Sequence, residues 1–75
     1  MTLNDLELNE LALISYIDTN SKNIHFLHPV MRLGVVPGLE IEKLSSVNTC
    51  SEYRVEGTRV VISKQAGDYI IVVRV

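Results

Sequence analysis

Two histidines, a pair of glutamates and one thiol are the residues of this chain whose types could do chemistry: His25, His28, Glu40, Glu42 and Cys50. His25 and His28 stand three apart, close enough to share one side of a helix. An open transition-metal site normally wants two such histidines and a carboxylate converging on one point. No carboxylate cluster lies near this pair, and Pro29 disturbs any helix that would aim it, so solvated or packing histidines are expected and no metal or cofactor. Cys50 has no neighbouring base or positive charge to lower its pKa, and reads as an ordinary thiol in a polar loop. Glu40 and Glu42 alternate along one strand face, the pattern of a solvated surface. With no nucleophile elbow and no phosphate-cradling glycine loop, the chain is not expected to be an enzyme.

The residues with the clearest positional meaning are structural. Gly34 suits the position just past a helix end, where positive φ is needed. In Pro37-Gly38, proline presets the second turn position and glycine supplies positive φ at the third, the pattern of a type II turn. Gly34, Pro37 and Gly38 therefore form a turn signature, and what it presents to solvent is Val35 and Val36.

Composition limits what can position these residues. The chain has 75 residues, 47% of them hydrophobic but only 5% aromatic, with 26 Val, Leu and Ile, one Phe and no Trp. That length allows one short domain. A single cysteine cannot form an internal disulfide, so an aliphatic core must hold the fold alone. Charged residues at 21% and abundant aliphatics argue against disorder. The run Ile70–Val73 is far too short to span a bilayer. The first residues lack the basic start and apolar stretch of a secretory leader, and a cytoplasmic location is expected. Net charge is −2 with an acidic first segment (Asp5, Glu7, Glu10, Asp18) and scattered bases. A nucleic-acid binder would concentrate its basic residues on one face; none is expected here.

Read along the chain, Thr2 caps a short turn from which Leu3 and Leu6 fold inward. Residues 11–18 form a strand. Residues 23–33 carry Ile24, Leu27 and Met31 on one helical face, but an interior proline costs about 3 kcal/mol, so the helix is either short, with Pro29 in its first turn, or longer and kinked, and the short form is the one expected. A strand follows over 39–44, then a polar loop over 45–51. A hairpin of 52–56 and 58–62 turns at Gly57, a single helical turn is capped by Ser63, and a last strand covers 69–75. Five short strands with little helix suggest a small closed β-barrel. Exposed strand edges leave a homo-oligomer open.

The run Leu33-Gly34-Val35-Val36-Pro37-Gly38-Leu39-Glu40-Ile41 resembles the Leu-Gly-x-x-Pro-Gly-x-x-[Val/Ile] pattern of the ferrous iron transport protein A (FeoA) family. The opening Thr2-Leu3-x-x-Leu6, the hairpin at 53–62 and the turn at 63–68 leading into Ile70–Val73 agree in order. The resemblance implies a mainly β, SH3-like barrel of about five strands with a short helical insertion. It also implies an accessory role in bacterial ferrous iron uptake: docking on the cytoplasmic part of the FeoB membrane transporter, which carries a G domain, without membrane insertion. The chain would then sit at the inner face of the membrane through its partner. Phe26, Met31, Val35 and Val36 are the expected docking residues. The alternative is a regulatory domain like the C-terminal domain of DtxR-type iron-dependent repressors, although no helix-turn-helix is present.

Overall fold

Apolar residues alternate through most strands of the chain, and that period of two decides which side of the sheet becomes the core. The computed structural model describes residues 1–75. Five strands, β1 Leu11–Ile17, β2 Glu40–Ser46, β3 Cys50–Val55, β4 Thr58–Ser63 and β5 Ile70–Arg74, form one antiparallel sheet in the order β4-β3-β2-β1-β5. Ala12 and Ile14 of β1, Tyr53 and Val55 of β3, and Ile70 and Val72 of β5 point inward and are buried. The pairing register shifts between Ile14 and Tyr16 against β5, and between Lys43 and Ser45 against β2's partner β3. Irregularities of this kind bend strands, and here they curl the sheet around its core.

The expected closed barrel is not formed. β4 and β5 are the two outer strands and do not pair with each other. The short helix α2 (Lys64–Gly67) joins them instead, its first turn capped by Ser63 Oγ, which accepts the Ala66 N–H at 3.1 Å. The helical turn Leu3–Asp5 packs against α2. Asn4 Nδ2 donates to the Lys64 carbonyl at 2.8 Å and to Asp68 Oδ1 at 2.7 Å. A Cβ at Gly67 would collide with the Asn4 side chain as it lies, so a larger residue there displaces Asn4 and its bonds to α2. The N-terminus also borders β5: Val72 N–H donates to the Met1 carbonyl at 2.9 Å, and Thr2 bridges Ile71. Leu3 and Leu6 are buried beneath that wrapping, as their spacing predicts.

The reading of residues 45–51 is corrected, and the turn at Gly57 is found where expected. The stretch 45–51 is not a long loop: β2 runs to Ser46 and β3 begins at Cys50, so Cys50 opens a strand and pairs with Ser63. Polar side chains hid the strands because the ladder needs only backbone groups. The hairpin between β3 and β4 turns through two residues, Glu56 at φ 51° and Gly57 at φ 75°, the two positive values a type I′ turn requires.

The helix α1 (Ile24–Arg32) contains Pro29 in its interior, against the expectation of a short helix beginning near it. Proline costs about 3 kcal/mol there. Burial of Leu27 and Val30 offsets this, at roughly 1.5–3 kcal/mol for each fully buried side chain. Pro29 itself faces solvent. The buried face is Leu27 and Val30, not the Ile24–Leu27–Met31 row: Ile24 is exposed and Met31 half-buried.

Candidate functional site

The segment from α1 to the start of β2 carries most of the residues singled out in the sequence, and its two ends are held by backbone geometry. At the front, Asn20 and Asn23 close on each other. Asn20 N–H donates to Asn23 Oδ1 at 2.7 Å, Asn23 N–H donates to Asn20 Oδ1 at 2.9 Å, and Asn23 Nδ2 donates to the Asp18 carbonyl at 2.8 Å. Asn23 is buried by this arrangement. The Asn-x-x-Asn spacing was the available signal, since Asn side chains bond nearby backbone groups in turns; Asn23, at the N-cap of α1, makes no side-chain bond to the helix itself.

At the far end, Gly34 takes φ 102° and its N–H donates to the Met31 carbonyl at 3.0 Å, ending the helix. Gly38 takes φ 95°, the third-position value of a type II turn. The turn is then fastened to the sheet. Gly38 N–H donates to the Ile14 carbonyl and Ile14 N–H to the Leu39 carbonyl, both at 2.9 Å. The turn signature Gly34, Pro37 and Gly38 thus builds a rigid corner anchored on β1.

The four expected docking residues divide. Val36 stands at the corner and is 38% exposed. Met31 is half-buried beside it in sequence. Phe26 is half-buried in an aromatic stack, with Tyr69 at 5.9 Å between ring centres and the His25 ring edge-on at 5.2 Å. Val35 has no exposed surface and packs in the core, because the chain reversal at Gly34 turns it inward. It is therefore removed from any docking face. Leu33, which the sequence reading passed over, is 55% exposed and lies immediately before the corner. An apolar residue directly preceding a helix-ending glycine was the signal.

His25 and His28 both face solvent on α1. Cys50 lies on β3 and Glu40 and Glu42 on β2. No group of three His, Cys, Asp or Glu side chains converges to hold a metal ion. The corner leaves two apolar side chains exposed, Leu33 just before Gly34 and Val36 just before Pro37. No helix is long and apolar enough to cross a membrane.

A curled five-stranded antiparallel sheet with a helix inserted between its first two strands is an SH3-like domain. The sequence profile of the FeoA domain matches residues 1–74, and the chain belongs to the FeoA domain family. Solved structures agree in fold. The chain superposes on iron(II) transport protein A from Clostridium thermocellum with TM-score 0.85 at 23% identity, covering all of this chain and 46% of that one. A FeoA-like protein from Clostridium acetobutylicum gives 0.85 at 22% identity, with 86% of its chain covered. The FeoA protein from Chlorobium tepidum gives 0.84 at 18%, with 70% covered. The chain thus spans less than half of the first of these and most of the second. No curated protein sequence matches it.

Proposed function

We propose that this chain is an accessory protein of bacterial ferrous iron uptake that docks on the cytoplasmic part of a FeoB-type transporter and modulates its assembly or nucleotide cycle. It acts in the cytoplasm, held at the inner face of the membrane by its partner, and works by binding without catalysis. Membership of the FeoA domain family supports the transport role. The observation that carries the docking role is the corner at Gly34–Gly38, whose two glycines take positive φ without steric cost and leave Val36 and the neighbouring Leu33 out in solvent. Apolar side chains exposed together beside a fixed turn are characteristic of interaction sites.

The test is retention of the protein by the immobilised cytoplasmic G domain of the transporter, together with ferrous iron uptake in cells. Val36→Asp and Leu33→Asp, introduced together, leave the circular dichroism and thermal midpoint unchanged while retention and uptake fall. A folded double variant with normal retention and normal uptake overturns the assignment of this corner.

A further inference from the structure

The solvent side of the sheet is divided into an apolar half and a charged half. On β1, Leu11 and Leu13 point away from the core, alternating with buried Ala12 and Ile14, and Tyr16 joins them beyond the register shift. On β5, Ile71 and Val73 point the same way, between buried Ile70 and Val72. Register sets Leu13 opposite Val73 and Tyr16 opposite Ile71, so these side chains form one field. Leu11, Tyr16 and Val73 remain 41%, 53% and 46% exposed. A half-solvated antiparallel sheet normally carries polar residues on that side.

The next strands follow the normal rule. Leu11 lies opposite Glu42 and Leu13 opposite Glu40, so the apolar field ends at a row of carboxylates. A shallow recess of the molecular surface, about 360 Å³, opens along this border and is lined by Leu11, Gly38, Glu40, Glu42, Arg54 and Glu56, among others. Arg54 is taken up by Glu42 at 3.1 Å, and neither Glu40 nor Glu56 has a cationic partner.

We propose that this face is a second docking surface, for an amphipathic helix of a partner protein whose apolar stripe is flanked on one side by Lys or Arg. Two strands about 4.8 Å apart, with their side chains, make a strip roughly as wide as one helix of about 10 Å diameter. The stripe covers Leu13, Tyr16, Ile71 and Val73, and the basic flank meets Glu40 and Glu56 at the recess. Charge selects this occupant. An anionic lipid surface would face unpaired carboxylates, and a second copy of this chain would bring a second set of them to the same rim. The surface adjoins the Gly34–Gly38 corner at Gly38, which also lines the recess, but it uses none of the corner's exposed apolar side chains, and the inference does not depend on the transporter reading.

The experiment is titration of the isotope-labelled full chain, followed by amide NMR, with two model helices that share a leucine stripe and differ only in flanking lysines or glutamates. The lysine peptide shifts amides of β1, β5 and the Glu40 region and binds at least about tenfold more tightly than the glutamate peptide. The pair Glu40→Gln and Glu56→Gln brings the two affinities together, and Leu13→Ser with Val73→Thr abolishes binding in a folded chain. Shifts centred on α1, equal affinities for the two peptides, concentration-dependent broadening of β1 and β5 without peptide, or binding to phosphatidylglycerol vesicles in preference to the lysine peptide each overturn the proposal.

Discussion

The Lys43 ammonium donates to the Leu6 carbonyl at 2.9 Å inside the folded chain, with Lys43 only 7% exposed and no carboxylate paired to it. The backbone of the same residue is held from the same side: Asn9 N–H donates to the Lys43 carbonyl at 2.7 Å, and Lys43 N–H donates to the Glu10 carbonyl at 3.2 Å. One residue of β2 thus fastens the whole segment 6–10, whose course includes Asn9 at φ 66°. Lys43→Met keeps the apolar stem and removes the donor, leaving a buried carbonyl unpaired. A loss of about 1–3 kcal/mol is expected, read in urea as a lower midpoint with an unchanged slope.

A second tie holds the same segment to the end of β5. Glu10 accepts from the Glu7 N–H at 2.9 Å and pairs with the Arg74 guanidinium. The Glu7 N–H, and secondarily Arg74, hold the Glu10 carboxyl below its ordinary value of 4.5. A depressed folded-state pKa adds stability that is full above the unfolded value and is lost as pH falls through the folded one. Thermal midpoints measured as a function of pH therefore decline below about 4.5 in the native chain, and Glu10→Gln flattens that part of the profile.

Pro29 leaves the His25 carbonyl without its helical donor, on the solvent side of α1. Pro29→Ala restores that bond, worth about 3 kcal/mol in a helix interior, against about 1 kcal/mol of unfolded-chain entropy that proline had removed. A net gain of about 2 kcal/mol is expected in urea unfolding. A loss would mean that the proline shapes the corner that follows.

Val35 and Val36 are neighbours with opposite fates. Val35→Asp places an unpaired charge in the core, and a chain this small loses its cooperative unfolding transition by circular dichroism. Val36→Asp, at a 38% exposed site, is expected to stay within about 0.5 kcal/mol of the native stability by the same measurement.

Much of this fold was legible in the residues themselves. Glycine at 34, 38 and 57 adopts positive φ where turn chemistry places it, and Ser63 caps α2 as its spacing predicts. The candidate corner was legible for the same reason: a turn is a local object, decided by one or two backbone conformations. Exposure at the corner was not, since Val35 and Val36 are chemically identical and only the direction of the chain after Gly34 separates them.

Sequence by itself determined the alternation along Leu39–Leu44 and Glu52–Glu56, the glycine turns, and the membership that the Leu-Gly-x-x-Pro-Gly pattern implies. Tertiary structure alone decided that the sheet stays open between β4 and β5, that α1 runs through Pro29, and that a lysine is buried. The physical reason is common to all three. Each outcome balances a local cost against burial contributed by residues distant in the chain, such as Leu6 over Lys43 or the core around Leu27, and no window along the sequence contains both sides of that balance.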